Sequence, residues 1–511
     1  MFTFILILNI IKIINIKRKK KQSKYQNYKL QINTQMAIPR PYRNNDKDTF
    51  GEYTFTHRWA IIIKNILKDL PEETDSKVIE EIEQLGGELT SSALVRKFNA
   101  AELEKESNLK VFNDYIEAVK DGKDPSIDWL KESESSPIGS EMTWSNGDWL
   151  FTEIYLYRRI NAIILKYGLI IDVFDKLKTD TFLSSFNGVL DLCDFYNKID
   201  TEKIDDEEIK YTLFKEFISV SLWGNATDLS LLTNLDLSDL QDLQSKESRM
   251  SNESKILVDD NLAAWEHIKK SEGKTVDIVC DNAGFEVFSD ILLAFFLVDF
   301  KVCEKVVLHV KDLPYMVSDV MTKDVHKLND ILIKWGKDNE SVASIGEKLK
   351  NFLSSGKIEL NDNEFWTYYH DYWHLSHVDS HAGKDTFEVL KQVLKSFEET
   401  KMVIFKGDLN YRKLCGDRMW PKTTSWESAI GRDIPANNLI KDEADQFVYD
   451  LQKFPMLSLR TCKADVMVGL KSDEQDKQLT EEYRNMKRDS ELHPEWWASS
   501  GKWAVVCFNK N

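Results

Sequence analysis

From about residue 255 to the end of the chain, short apolar runs rich in β-branched residues alternate with amphipathic segments of helical periodicity. Such alternation is typical of a mainly parallel, doubly wound sheet with helices on both faces. The strand candidates are KILVDD, TVDIVCD, KVVLHVKD, KIELND, MVIFKGD, MLSLRT and KWAVVCF. We therefore predict an α/β fold with α/β/α layers for residues 251–511.

The preceding part of the chain has a helical pattern. From Tyr53 to about Leu240, apolar residues recur three and four positions apart. Thr56 is a candidate N-cap for one such helix, and Gly168 is a candidate C-cap for another. We predict a helical amino-terminal region over residues 36–250, with a polar linker around residues 240–254.

Residues 1–35 differ in composition from the rest of the chain. An apolar run of about 16 residues is interrupted by Asn9, Lys12 and Asn15, and a basic cluster follows it. A bilayer span needs about 20 apolar residues, so this run is short and impure. We expect residues 1–35 to be an upstream extension outside the fold, and a membrane or organelle-targeting segment is the alternative.

The overall charge and the cysteines limit the classes of partner and compartment. The net charge is −17 for 511 residues, which argues against nucleic-acid binding because phosphate backbones are bound by basic surfaces. Six cysteines are present without any CxxC pair, which indicates a reducing compartment. We expect a cytoplasmic protein, with nuclear presence left open and without stable membrane association.

Polar residues stand where several predicted strands end. Asp281 and Asn282 follow TVDIVC, and Asp319 follows KVVLHV after a short loop. Ligands of open α/β sheets bind at the carboxyl ends of the strands. Two carboxylates and an amide oxygen suit a hard or borderline divalent cation, such as Mg²⁺ or Mn²⁺. The alternative is that Asp281 and Asn282 form only a turn and an N-cap for the following helix.

Two further segments add cations and another carboxylate to this set. Asp408, Asn410 and Arg412 lie in GDLNYRK, and Lys463 lies in LRTCK, each after a predicted strand. Arginine and lysine side chains can hold a phosphate group. Together with a metal site they indicate phosphoryl-transfer chemistry, although a rim of surface ion pairs would give the same pattern.

These motifs resemble a known family, the damage-control phosphatases, and within it the eukaryotic branch with an RTxK motif, also named acidic-residue methyltransferase homologues. The resemblance extends over most of residues 36–508. It rests on DNAGFE, the SDV that ends at Val320, KGDLNYRKL and RTCKAD, together with FTEIYLYRR and SLWGNATDLS in the helical half.

The resemblance implies a metal-dependent phosphatase acting on small phosphometabolites, with fructose 1-phosphate and related sugar phosphates as the substrate type. It implies a divalent metal, usually Mn²⁺, with Co²⁺, Ni²⁺ or Mg²⁺ as alternatives. The metal ligands that it implies are Asp281, Asn282 and Asp319. The substrate-binding residues that it implies are Asp281, Asn282, Glu286, Asp319, Asp408, Leu409, Asn410, Tyr411, Arg412 and Lys463.

The mechanistic hypothesis assigns catalytic roles to Asp281, Asp408 and Lys463. Either a metal-bound water or the carboxylate of Asp281 attacks the phosphoryl group. Lys463 and Arg412 neutralise the charge that grows on the phosphoryl oxygens. Asp408 acts as a general base or orients the attacking water.

Two other functions are weighed against this hypothesis. An S-adenosylmethionine-dependent carboxyl methyltransferase suits the sheet, but the glycine-rich loop usual after its first strand is missing. A non-catalytic interaction protein would need none of the polar strand ends. A transition-metal site at four closely spaced histidines is thinkable, although packed or solvated histidines are the favoured interpretation; these are His370, His374, His377 and His381.

Overall fold

The computed structural model of the protein describes residues 38–123, 138, 141–201, 203–224, 253–373, 384–431, 454–486 and 496–510. The predicted extension, residues 1–35, lies outside the described residues. The predicted linker also lies outside them, apart from its last two positions. Residues Arg40–Asn511 form one compact unit, in which the predicted helical region and the predicted α/β region are both included.

In the part of the chain that the structure describes, seven strands form a single sheet, and each overlaps one of the predicted runs. The strands are β1 (Ile256–Asp259), β2 (Thr275–Val279), β3 (Lys305–His309), β4 (Ile358–Asn361), β5 (Thr400–Lys406), β6 (Met456–Thr461) and β7 (Ala504–Asn509). Their spatial order is β1-β7-β6-β5-β2-β3-β4. All neighbours are parallel except β6 and β7, so the predicted mainly parallel sheet is confirmed.

The order of the strands reverses between β2 and β5. From β2 the chain proceeds through β3 to β4 at one edge, and from β5 it proceeds through β6 to β7 in the other direction. Ile278 of β2 is paired with Leu308 of β3 on one side and with Ile404 of β5 on the other. The connections after β2 and β5 therefore leave a crevice at the carboxyl ends of these two strands, which is where such folds bind ligands.

Helices cover both faces of the sheet. In the described amino-terminal half they are α1 (Phe50–Tyr53), α2 (Trp59–Asp69), α3 (Ser76–Thr90), α4 (Ala100–Lys105), α5 (Lys110–Lys120), α6 (Trp149–Lys166), α7 (Asp175–Ser184), α8 (Phe186–Asn197) and α9 (Glu207–Trp223). After β1 they are α10 (Asn261–Lys270), α11 (Phe285–Asp299), α12 (Thr322–Trp335), α13 (Glu340–Ser355), α14 (Lys384–Ser396), α15 (Gly407–Leu414), α16 (Trp426–Ala429) and α17 (Asp473–Met486).

The first helical stretch begins earlier than the sequence predicts. Thr49, and not Thr56, is the N-cap: its side chain accepts a hydrogen bond from the backbone N–H of Glu52. Thr56 lies inside a π-helical turn, Thr54–Arg58, that joins α1 to α2. The prediction of the N-cap was wrong because α1 has only four residues, which is too short for apolar periodicity to reveal.

Two hydrophobic cores hold the elements together. One surrounds α11, whose buried residues include Ile291, Leu292 and Phe295, and it includes the inner side chains of the strands and of α8 and α9. The other is built by α2 to α6 around buried aromatic side chains such as Trp59 and Tyr155. Leucine, tyrosine and alanine side chains from the loops at the carboxyl ends of the strands also enter this second core, so the amino-terminal helices support those loops.

All six cysteines lie among the described residues, and each of them is buried and free. Among the helices of the described segments, none has both the length and the apolar composition needed to cross a bilayer.

Candidate active site

The loop after β2 presents the first predicted site residues. Helix α11 begins after Gly284, whose φ of 74° is left-handed, and no side chain caps this helix end. Asp281 and Asn282 are half-buried and stand before this glycine. The interpretation of Asp281 and Asn282 as a simple N-cap is therefore wrong, because neither side chain binds the first turn of α11 through a capping hydrogen bond.

The loop after β3 folds back along the loop after β2. The backbone N–H of Val320 donates to the carbonyl of Asp281 at 2.9 Å, and the N–H of Ala283 donates to the carbonyl of Ser318 at 2.8 Å. These bonds pair Asn282 with Asp319 in an isolated antiparallel bridge. The structure thus brings Asp281, Asn282 and Asp319 together, although Asp319 comes ten positions after the last residue of β3.

The polar side chains of these two loops contact one another. The amide nitrogen of Asn282 donates to Asp281 Oδ2 at 3.0 Å and to Glu286 Oε2 at 2.7 Å. The ammonium group of Lys311 lies 3.1 Å from Asp319 Oδ2 and donates to the carbonyl of Cys280 at 2.8 Å. Glu286, on the first turn of α11, therefore belongs to the same cluster.

Gly407 allows β5 to approach Asp281. Its φ is +81°, and a Cβ atom at this position would lie 1.9 Å from Asp281 Oδ2. Such a distance is far below a van der Waals contact, so no other residue type fits here while Asp281 keeps its place. The carboxyl end of β5 thus meets the carboxyl end of β2 across the crevice.

Asp408 and Lys463 lie on the β5–β6 side of the crevice. Asp408 Oδ1 accepts hydrogen bonds from Arg460 Nε at 2.6 Å and from the backbone N–H of Lys463 at 2.9 Å. Arg460 is buried at the end of β6 and also donates to the carbonyls of Ala464 and Val466. These bonds hold the Asp408 carboxylate in one orientation, and the Lys463 side chain remains exposed.

A buried lysine lies beneath the cluster. Lys406, the last residue of β5, donates to Asp290 Oδ1 at 2.7 Å, to Glu286 Oε1 at 3.2 Å and to the carbonyl of Ser221 at 2.7 Å. The hydroxyl of Ser221 donates to the same oxygen of Asp290 at 2.6 Å. Glu286 is therefore held at both of its carboxylate oxygens, by Lys406 on one side and by Asn282 on the other.

The electrostatics of the cluster show an excess of negative charge. Desolvation, and then the carboxylates of Glu286 and Asp319, raises the pKa of Asp281 well above its ordinary value. Desolvation also raises the pKa of Asp319, against the opposing charge of Lys311. Lys311 and Lys406 thus compensate only part of the charge of the three carboxylates.

The donor set fits a divalent cation. Asp281, Asn282 and Asp319 offer two carboxylates and an amide on adjoining loops, which are the oxygen ligands that Mg²⁺ and Mn²⁺ take. The raised pKa values of the two aspartates show that an additional positive charge would stabilise their ionised forms. These three side chains could hold such an ion.

A family comparison identifies the chain's relatives. The model of the damage-control phosphatase ARMT1-like domain matches residues 54–479. The chain belongs to the damage-control phosphatase ARMT1-like family.

Curated proteins named damage-control phosphatase ARMT1 are similar to this member of the family over most of their length. The protein from Danio rerio is 29% identical over 448 residues, which cover 86% of each chain. The protein from Bos taurus is 30% identical over 451 residues, or 86% of this chain and 88% of its own. The human protein is 27% identical over 503 residues, or 93% and 99% of the two chains. A solved structure of a DUF89 family protein from Pyrococcus horikoshii covers 81% of this chain and 92% of its own, with 13% sequence identity and a TM-score of 0.34.

The predicted substrate loop at residues 408–412 is helical in this member of the damage-control phosphatase family. It forms the first part of α15, in which Leu409, Asn410 and Tyr411 are buried. The amide of Asn410 donates to the carbonyls of Val279 and Lys406, and the hydroxyl of Tyr411 accepts from the N–H of Val468. The side chains of Asn410 and Tyr411 hold strands and loops in place, and only Asp408 in this stretch is half-exposed.

Arg412 has structural partners in place of a phosphate. Its guanidinium group donates to Glu153 at 2.6 Å and to both oxygens of Asp417, and it lies 3.8 Å from the ring centre of Trp149. Because its hydrogen-bonding groups bind two carboxylates, the geometry does not support the phosphate-binding role predicted for Arg412.

Sequence reasoning assigned no role to several residues that complete the site. Lys406 is the last residue of β5, and Lys311 comes two positions after the end of β3. A lysine at the end of an apolar strand was the sequence signal that could have identified both residues. Gly407 could have been found as a glycine directly after a strand. Asp290 lies inside the apolar helix α11, where a lone buried carboxylate indicates a charged partner.

Two other groups of potential metal ligands, one of aspartates and one of histidines, lie outside this site. The carboxylates of Asp172, Asp175 and Asp324 lie within 4.8 Å of one another. Lys178 and Lys323 donate to these carboxylates, so lysines compensate their charge. Of the four closely spaced histidines, His370 is described and buried, and the other three lie outside the described residues.

Proposed function

We propose that this protein is a metal-dependent phosphatase that hydrolyses small phosphometabolites, with fructose 1-phosphate as a representative sugar phosphate. One observation carries the proposal: the loops after β2, β3, β5 and β6 bring an oxygen-rich cluster and an exposed lysine to the switch point of the sheet. The family name of the chain agrees with phosphatase chemistry.

In this proposal the metal ligands are Asp281, Asn282 and Asp319. A divalent ion held by these side chains would supply Lewis-acid chemistry toward a phosphoryl oxygen. Lys311 orients the Asp319 carboxylate, and Glu286, held by Lys406, orients the amide of Asn282. Gly407 leaves space for the Asp281 carboxylate at the centre of the site.

Asp408 and Lys463 act on the phosphoryl group and on water. The exposed ammonium group of Lys463 neutralises charge on the phosphoryl oxygens in the transition state. Asp408 binds Arg460 and the Lys463 N–H through Oδ1, so its second oxygen is directed to the attacking water. Hydrolysis forms a bond from the water oxygen to phosphorus while Asp408 takes a proton from that water, and it breaks the bond from phosphorus to the sugar oxygen. The sugar oxygen takes a proton from solvent and leaves as the alcohol, and Asp408 returns its proton to solvent.

The test measures phosphate release from fructose 1-phosphate by the full chain, with Mn²⁺ and with a chelator. We expect release with Mn²⁺ and loss of release with the chelator. In Asp281→Asn we expect no release and an unchanged or higher melting temperature, because the substitution removes a buried charge that its neighbours repel. Asp205→Asn, at a fully exposed side chain, serves as the control and should retain activity.

Two results would contradict the proposal. Retained turnover in Asp281→Asn would exclude the role given to this carboxylate. If the wild-type protein released no phosphate from a panel of sugar phosphates with any of Mn²⁺, Co²⁺, Ni²⁺ or Mg²⁺, the phosphatase function itself would be wrong.

A further inference from the structure

Helix α7 lies against the loop after β2. A Cβ atom at Gly284 would lie 3.6 Å from the Cβ atom of Phe182 and 4.0 Å from the carbonyl oxygen of Lys178. Because these are van der Waals distances, only the space of one carbon atom separates α7 from the loop that carries Asp281 and Asn282.

The same helix is tied to the loop that carries Asp319 by a buried ion pair. The ammonium group of Lys178 donates to Asp324 Oδ2, on the first turn of α12, at 2.8 Å. That oxygen also accepts the backbone N–H of Met321 at 2.9 Å, and Met321 comes two positions after Asp319. Asp324 therefore links α7 to the end of the loop that carries Asp319.

A second carboxylate holds the Lys178 side chain. The ammonium group also donates to Asp172 Oδ2 at 3.1 Å, and Asp172 Oδ1 accepts the N–H of Phe174 at 2.8 Å just before α7 begins. The side chains of Asp172, Lys178 and Asp324 are only 3%, 4% and 6% exposed. The ammonium group is therefore fixed between two buried carboxylates.

Stability alone does not explain these buried charges. Replacing a buried ion pair by apolar side chains is often neutral or stabilising, because taking the charges out of water offsets their attraction. Lys327 joins the same two helices through Asp175 Oδ2 at 2.7 Å, and its side chain is 41% exposed. Since α7 and α12 are also joined by this exposed pair, the buried pair requires a further role.

We propose that Lys178 is a positioning residue for the metal ligands, which rests on the metal-dependent function proposed above. Helix α7 touches the loop of Asn282 and holds the loop of Asp319 through Asp324, so Lys178 fixes the spacing between these two ligands. Residues that orient metal ligands typically contribute about tenfold to hundredfold to the affinity for the metal.

The charge of Lys178 opposes this positioning effect. Desolvation raises the pKa of Asp319, and the charges of Lys311 and then Lys178 act against this change, so both ammonium groups influence that carboxylate. A cation at this place repels a bound metal ion. Removal of Lys178 therefore strengthens metal binding if its charge is its main influence, and weakens metal binding if positioning is.

The experiment measures Mn²⁺ binding to the full-length protein by calorimetry. We expect Lys178→Met to bind Mn²⁺ about tenfold more weakly than wild type or worse. Lys327→Met is the matched control, because it removes the exposed lysine–aspartate pair from the same two helices, and its affinity should equal that of wild type.

A second variant keeps the test valid if Lys178→Met does not fold. The double variant Lys178→Met with Asp172→Asn also removes a buried carboxylate that would have lost one of its lysine partners. It should show the same loss of affinity, because Asp324 still lacks the contact with Lys178.

Hydrogen exchange of the metal-free protein measures the positioning directly. The N–H groups of Val320 and Ala283 join the two loops, and the N–H of Met321 binds Asp324. We expect these three amides to exchange about tenfold faster in Lys178→Met than in Lys327→Met, while the amides of β5 exchange at equal rates.

Unchanged or stronger Mn²⁺ binding in Lys178→Met, or in the double variant, would overturn the positioning role. A wild-type protein that binds no more Mn²⁺ than Asp281→Asn would overturn the proposed metal site instead. In that event hydrogen exchange still decides the positioning of the two loops, because equal rates in Lys178→Met and Lys327→Met would exclude it.

Discussion

Gly407 shows how a single residue without a side chain determines the geometry of the site. Its left-handed φ of +81° turns the chain from β5 into α15, and its Cα faces the carboxylate of Asp281. Gly356 has a similar φ of +73° at the end of α13, but a Cβ atom there would meet nothing within 4 Å. Both glycines therefore have a positive φ, but only Gly407 lies so close to another side chain that a Cβ atom would not fit.

This difference gives a prediction at the residue scale. Gly407→Ala should abolish phosphatase activity and destabilise the fold, because the new methyl group displaces Asp281. Gly356→Ala should lose about 1 to 2 kcal/mol from left-handed strain alone and retain activity. Chemical denaturation and phosphate release measure the two effects, and an active Gly407→Ala protein would contradict the close approach.

Three elements meet at one buried lysine. Lys406 ends β5, Glu286 and Asp290 lie one turn apart on α11, and Ser221 lies near the end of α9. Burial raises the pKa of Asp290 to about 6, even though Lys406 opposes this change. Although burial also disfavours the charge of Lys406, the two carboxylates raise its pKa above the ordinary value. The charges of these elements therefore depend on one another.

The buried contacts of Lys406 with two carboxylates give a second prediction. Lys406→Met should lower the free energy of unfolding by about 3 to 5 kcal/mol, because it leaves two buried carboxylates without their cation. Adding Asp290→Asn should recover part of this loss, since it removes one of the uncompensated charges. Lys203→Met, at a side chain that is 83% exposed, should change stability by less than about 1 kcal/mol.

Denaturant titrations of the wild type and the three variants check this prediction. A loss of stability in Lys406→Met no greater than that of the exposed control would show that the buried network contributes little. A double variant no more stable than the single one would show that the loss comes from packing and not from uncompensated charge.

Asp465 connects the loop after β6 to α1, the first helix of the described residues. Its carboxylate accepts the N–H groups of Phe50 at 2.9 Å and of Gly51 at 3.0 Å, and so it binds the first turn of α1. It stands two positions after Lys463, on the loop that follows β6. The amino-terminal helices are thus fastened directly to a loop of the candidate site. Burial raises the pKa of Asp465 to about 6, against the effect of these two hydrogen bonds.

This contact gives a prediction for the whole molecule. The folded protein holds the proton of Asp465 more tightly than the unfolded chain, where the pKa has its ordinary value of 3.8. The stability from this group is therefore fully present below pH 3.8 and is lost as the pH rises through about 6. Asp465→Asn removes the titration, so it should become more stable relative to wild type by up to about 3 kcal/mol between pH 4 and pH 7.

Urea denaturation of both proteins across this pH range measures the difference. Asp205→Asn, at a fully exposed carboxylate, is the control and should follow the wild-type pH dependence. A difference between wild type and Asp465→Asn that stays constant with pH would contradict the raised pKa.

The sequence alone determined the class of fold and the family. All seven strands could be predicted because their apolar, β-branched composition is a local property. Inner strands such as β2, which is buried along its whole length, need this composition because both faces of the sheet are covered. The residues Asp281, Asn282 and Asp319 could be proposed together because parallel strands present their carboxyl ends at one edge.

Only the tertiary structure decided which strand ends adjoin and how each charge is compensated. The chain order of the strands does not reveal that β5 lies beside β2, so the contact of Gly407 with Asp281 could not be predicted. Arg412 and Lys406 are both cations near strand ends, yet one binds Glu153 of a distant helix and the other binds carboxylates of the site. The reason is physical: a buried charge takes its partner from whatever element packs against it, and that packing is settled by the two cores of the folded chain.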